Sequence, residues 1–167
     1  KRMNRGEYEE NILDSAASDF CIGVGAYPEK HPDSPNLEQD IRYLRDKVRA
    51  GADYIVTQMF FDTSDFFRFV ELCRKNDIQV PIIPGIKLLT KKNQITSLPR
   101  HFSVNIPDDF AQAVMNSRSD HESAAIGLEF ALKQCEALLN ARVPALHFYV
   151  MQDVQHVKQI VSTLKKH

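Results

Sequence analysis

The chain has 167 residues, 43% of them apolar and 26% charged, with a formal net charge of −1. That suffices for one domain with a sizeable core but falls short of the about 250 residues of a complete eight-stranded α/β barrel. The interspersed signs exclude the basic stripe of a nucleic-acid binder and the polybasic patch of a membrane anchor. No apolar run approaches the roughly 18 residues of a bilayer span, and no signal peptide is expected.

The first segment, Gly6 to Ser18, reads as a weakly amphipathic helix (Tyr8, Ile12, Leu13, Ala16), the tail of an element that begins upstream. Phe20 to Ala26 is a short apolar run with glycines, the pattern of a buried parallel strand. Leu37, Ile41, Leu44 and Val48 then recur at helical spacing, and Gly51 suits the position just past the helix end, where positive φ is free for glycine. Tyr54 to Met59 is a second strand. Ser64 or Asp65 is expected to cap the next helix, whose inner face carries Phe66, Phe69, Val70 and Cys73.

Val80 to Ile86 is a third strand, with its prolines expected at the ends rather than within the ladder. A long helical region from Lys91 to Leu139 is expected to break near Pro99 and Pro107. Pro144 to Val150 is a fourth strand and Val154 to Leu164 a closing helix. Four βα units in series predict a parallel sheet. None carries a Gly-x-Gly-x-x-Gly or P-loop pattern, so the Rossmann and nucleotide-triphosphatase readings lose support. Cys21, Cys73 and Cys135 are widely spaced and odd in number, so neither a disulfide framework nor a zinc site is expected, and a reducing, cytoplasmic setting fits.

Ligands of parallel α/β folds bind beyond the C-terminal strand ends. That rule selects Ala26 to His31, Gln58 to Asp62, Pro84 to Gln94 and Tyr149 to Asp153. In the first, Tyr27 offers a ring with a polar tip and His31 a donor, although a proline-stiffened loop with ordinary polar residues has the same composition. Gln58 presents both an acceptor and donors, as reading a heterocycle edge requires, or it is satisfied by nearby backbone. Asp40, Tyr43 and Lys47 share one helix face, either a binding face or a solvated flank.

Gly25-Ala-Tyr-Pro-Glu-Lys-His-Pro32, Asp40, Lys47-Val48, Ala50-Gly-Ala52, Thr57-Gln58, Phe60-Phe-Asp62, Ile82-Ile-Pro-Gly-Ile86 and His147-Phe-Tyr149 occur in one order. This ordered set resembles the methylenetetrahydrofolate reductase family from about Asp19 to the end. The resemblance implies a (β/α)8 TIM-type barrel of which residues 1–167 are a single partial domain, the last four βα units. It implies FAD as cofactor, NADH or NADPH as electron donor, a folate substrate and a homo-oligomer. Tyr27, His31, Asp40 and Lys47 match flavin-contacting positions, and Ala52 a small residue behind the cofactor-binding helix. Gln58, Gln94, Tyr149 and Met151 match positions on the folate side. Tyr43, Asp46, Leu98 and the pair Gln152-Asp153 depart from residues that some members carry there.

The family's general acid comes from the first half of the barrel, so no catalytic residue is expected among these 167, and the isolated fragment is expected to be inactive. Two other readings stand beside this one. One is a TIM-barrel enzyme without redox chemistry; the other is a non-catalytic interaction module that dimerises through its sheet edges.

Overall fold

A computed structural model describes residues 2–7, 16–150 and 154–165. A four-stranded, all-parallel sheet forms the centre, built from β1 (Gly23–Ala26), β2 (Tyr54–Met59), β3 (Ile82–Ile86) and β4 (His147–Phe148), in the spatial order of the chain. Among the described residues six α-helices accompany it: α1 (Leu37–Arg49), α2 (Thr63–Lys75), α3 (Gln94–Phe102), α4 (Asp108–Met115), α5 (Asp120–Asn140) and α6 (Val154–Leu164).

The main core forms where apolar helix stripes meet alternate strand residues. Ile41 and Leu44 of α1, Phe66, Phe69 and Cys73 of α2, Ala131, Cys135 and Leu138 of α5, and Ile160 of α6 pack with Ile55, Ile82 and Ile86 of the sheet. Burial alternates along β2, with Ile55, Thr57 and Met59 buried and Tyr54, Val56 and Gln58 half-buried. The period of two thereby turns Gln58 away from the core. A second cluster (Met59, Phe61, Leu89, Leu98, Val104, Ile106, Phe110, Val114) carries α3 and α4 against the C-terminal end of β2.

Helix starts follow local chemistry. The Asn36 side chain accepts from the Gln39 N–H at the head of α1, and Ser119 accepts from the Glu122 N–H at the head of α5. At α2 the cap is Asp62, which accepts from the Ser64 N–H at 2.8 Å, rather than Ser64 or Asp65. A carboxylate one turn earlier reaches the orphan amides equally well, and the chain already turns at Asp62. Gly51 takes φ 113° just past α1, as its position requires.

Several boundaries differ from the sequence reading. The first, third and fourth strands are shorter than expected, beginning at Gly23, Ile82 and His147. Pro99 lies inside α3; the break comes at Ser103, whose φ is 51°, because a proline in a nine-residue helix forfeits only one helical bond. Pro84 lies inside β3, at a register shift against β2 where three steps from Val56 to Met59 match two from Ile83 to Gly85. The missing proline N–H is absorbed by that bulge. Of the expected helix from Gly6 to Ser18, residues 8–15 lie outside the described residues; Met3–Arg5 forms one 3-10 turn, and residues 16–18 are irregular.

Candidate functional site

The bulge between β2 and β3 shapes the sheet's C-terminal end. Gly85 donates its N–H to Thr57 Oγ1 at 2.9 Å, so a buried side chain replaces a ladder carbonyl. Only glycine allows this approach, since a Cβ at position 85 would stand 2.2 Å from the Thr57 carbonyl oxygen and 2.6 Å from the Tyr149 ring. Tyr149 lies across the gap and donates its hydroxyl to the same Thr57 carbonyl at 2.9 Å. Its own N–H donates to Ile86 O, and its carbonyl accepts from Lys87 Nζ at 3.1 Å.

A cleft of about 400 Å³ opens here, lined by Gln58, Met59, Lys87, Leu98, Phe102 and the end of β4 through Tyr149 and Val150. Gln58 accepts from the Met59 N–H at 2.9 Å. The ring of His147 meets that of Tyr149 edge-on, centroids 4.7 Å apart. Apolar walls with a few polar tips are the usual make-up of a small-molecule site.

The cleft at Gln58 is the second in chain order; the first, a groove of about 560 Å³, lies along the loop after β1 and α1 and reaches Phe69 of α2. Tyr27, His31, Asp40, Tyr43, Asp46 and Lys47 line it. The rings of Tyr27 and His31 meet edge to face at 4.6 Å. Asp40 accepts the His31 backbone N–H at 2.8 Å, which ties the loop to the helix. The Asp33 N–H donates to His31 Nδ1 at 3.1 Å, and Lys47 Nζ reaches the Gly25 carbonyl at 3.5 Å. Ala52 is buried, and its N–H holds the Lys47 carbonyl at 3.2 Å. It thus backs the end of α1 without lining the groove.

Burial raises the Tyr149 hydroxyl above the usual phenol range, and the nearby Tyr27 adds to the effect. Of the residues singled out from sequence, Tyr27, His31, Asp40 and Lys47 share the first groove, and Gln58 and Tyr149 share the other. Gln94 lines neither: its Oε1 accepts the N–H groups of Thr90 and Lys91 at 2.7 and 2.9 Å, closing the turn before α3. Met151 and the Gln152-Asp153 pair lie outside the described residues. Leu98 is buried in the cleft wall, and Tyr43 is exposed at the groove rim.

Lys87 and Thr57 were not singled out from sequence. Lys87 directly follows β3, where the strand-end rule alone flags it. The Pro84-Gly85 pair inside a strand was the available sign of the bulge that Thr57 completes. Among the described residues no three His, Cys, Asp or Glu side chains cluster as a metal site, and no helix is long and apolar enough to cross a membrane.

Residues 10–165 match the family model described as "Methylenetetrahydrofolate reductase". The chain belongs to the methylenetetrahydrofolate reductase family. It is 34% identical over 147 residues to methylenetetrahydrofolate reductase 1 of Schizosaccharomyces pombe, covering 87% of this chain and 24% of that protein. It is 35% identical over 141 residues to the 5,10-methylenetetrahydrofolate reductase of Buchnera aphidicola subsp. Schizaphis graminum, covering 84% of this chain and 48% of that one. The chain therefore spans half or less of these family members. A Clostridium thermocellum protein, described as binding two copies of 5-methyl-5,6,7,8-tetrahydrofolic acid, shares the fold with a TM-score of 0.59 at 18% identity. That match covers 89% of this chain and 54% of the other.

Proposed function

We propose that this chain supplies the last four βα units of the barrel of a flavin-dependent methylenetetrahydrofolate reductase, its first groove seating part of FAD and its second cleft the folate. The observation that carries the reading is a pair of clefts, both lined by residues at the C-terminal ends of a parallel sheet, in a chain that belongs to this family. Two ring systems that exchange a hydride must lie against each other, and Tyr27 of the first groove is near enough to Tyr149 of the second cleft to help raise its hydroxyl.

The sheet supports a barrel arc as its setting. Strand order follows chain order, and residues of α1, α2, α5 and α6 share one core with the strands. Four such units leave two strand edges open, which four further units would close.

The lining of the first groove fits the cofactor by its chemistry. An aromatic pair, a Lys47 ammonium and a loop braced by Asp40 surround a volume suited to part of a planar, phosphate-bearing ligand. FAD, when bound, supplies the hydride relay from NADH or NADPH to the folate one-carbon unit. Tyr27 and His31 would pack on it, Lys47 would face its anionic part, and Ala52 would keep α1 in place behind. In the second cleft, Gln58 offers acceptor and donor to a pterin edge, while Leu98 and Phe102 exclude water.

Among the described residues no Asp or Glu lines the second cleft. The proton for the leaving folate nitrogen therefore comes, in this reading, from a group beyond these residues. Three free thiols suit a reducing, cytoplasmic setting, and the reading includes a homo-oligomer by family membership alone.

Purifying the full-length protein with added FAD, recording the flavin band and assaying NAD(P)H-dependent reduction of methylenetetrahydrofolate tests the proposal. Flavin retained with turnover, and turnover reduced about 100-fold in Gln58→Ala with the flavin still bound, is the expected result. A colourless protein without reductase activity overturns it.

A further inference from the structure

Glu29 is a carboxylic acid that lines neither cleft, yet it ties a segment of one to a segment of the other. It belongs to the loop after β1, two residues from Tyr27 and two from His31. Its Oε2 accepts the Asn105 backbone N–H at 2.8 Å, across 76 residues of chain. Asn105 lies in the connection from α3 to α4, three residues beyond Phe102 of the second cleft. Its neighbours Val104 and Ile106 are buried in the cluster that also holds Leu98. The other Glu29 oxygen, Oε1, is buried without a hydrogen-bond partner among the described residues.

A solvated surface glutamate has no reason to bury an oxygen unpaired, since that forfeits water at a cost no local bond offsets. The arrangement is sensible only if holding Asn105 is worth that cost. We propose that Glu29 is a positioning residue that latches the segment after α3, and with it the α3 wall of the second cleft, onto the loop carrying Tyr27 and His31. One hydrogen bond then sets how far the two clefts stand apart.

The neutral acid holds this latch. Burial pushes the Glu29 carboxyl from its ordinary 4.5 up to about 7; Asp65 and Asp62 push the same way, while the Asn105 N–H and Arg68 oppose. These charges face Glu29 from α2 and its cap, where Arg68 is itself paired with Asp65. Within its own loop, Lys30 is committed to the carbonyls of His31, Pro32 and Ser34. A group that keeps its proton to about pH 7 when latched, and releases it near 4.5 when solvated, binds that proton more tightly in the latched state. By linkage, protonation closes the latch, and a rise in pH through 7 opens it.

The effect on turnover rests on the second cleft being the folate seat; the latch itself does not. The test uses the full-length protein as wild type, Glu29→Gln and Glu29→Ala, since glutamine keeps a neutral carbonyl acceptor of equal reach. Asn105 amide exchange, corrected for its intrinsic pH dependence, is measured from pH 6 to 8.5 beside KM and kcat for methylenetetrahydrofolate.

Wild-type protection should fall about tenfold across that range, stay level in Glu29→Gln, and be low throughout in Glu29→Ala. KM should rise as protection falls, with kcat within about twofold, because a displaced wall weakens ground-state and transition-state binding alike. A Glu29→Gln protein that follows the wild-type pH course, or wild-type protection at pH 6 in Glu29→Ala, overturns the latch. A wild-type protein with no folate reductase activity sinks the functional reading instead, and the exchange measurements still decide the latch.

Discussion

Tyr149 is held by its hydroxyl on Thr57, its amide on Ile86 and its carbonyl under Lys87, so its ring has one position over Gly85. Tyr149→Phe keeps the ring and removes one bond to a buried strand. A loss of about 1 kcal/mol in denaturant unfolding is expected, with a higher folate KM and unchanged flavin affinity. An unchanged unfolding midpoint would show that the hydroxyl is not anchored there. Ala52 acts differently, through the backbone that ends α1. In Ala52→Val two added methyl groups meet a filled space, and the strain of about 1–3 kcal/mol falls on the Lys47 carbonyl that Ala52 holds. A lower melting temperature that added FAD partly restores is expected from thermal unfolding with and without the cofactor.

At the scale of elements, α5 packs more closely than its sequence suggests. Gly127 faces the backbone of Leu89, and a Cβ there would come within 1.7 Å of the Leu89 carbonyl oxygen. A backbone carbonyl cannot swing aside as a side chain can. Gly127→Ala should therefore destabilise the protein by about 2 kcal/mol or more, although alanine is the better helix former, and denaturant midpoints compare the two directly. The same helix secures the end of β2, because buried Gln134 donates to the Phe60 carbonyl at 2.8 Å. Strand end and helix are thus fixed together, which keeps Gln58 at the mouth of its cleft.

For the molecule as a whole, Glu29 makes stability depend on pH. Its folded pKa of about 7 exceeds the ordinary 4.5, so the native state holds the extra proton between those values. Its contribution is complete below about 4.5 and is lost as pH rises through about 7. Chemical unfolding at pH 5, 6 and 8 should show the wild type losing stability relative to Glu29→Gln across this window. A constant difference between the two proteins would remove the titration from Glu29.

The periodicities alone determined the four βα units, the inner faces of α1 and α2, and β2 to the residue, because burial of an apolar stripe leaves a chain little choice of period. The strand-end rule and the ordered motifs also picked out Tyr27, His31, Gln58 and Tyr149, which do lie at one end of the sheet. Only the tertiary structure decided how they divide. A bulge at Pro84 and Gly85, a carbonyl shared between Tyr149 and β2, and a Gln94 turned to its own backbone all arise from contacts between distant segments. Glu29 shows the reason most plainly: its partner is 76 residues away, and no pattern of neighbours along the chain encodes which amide a buried carboxyl will meet.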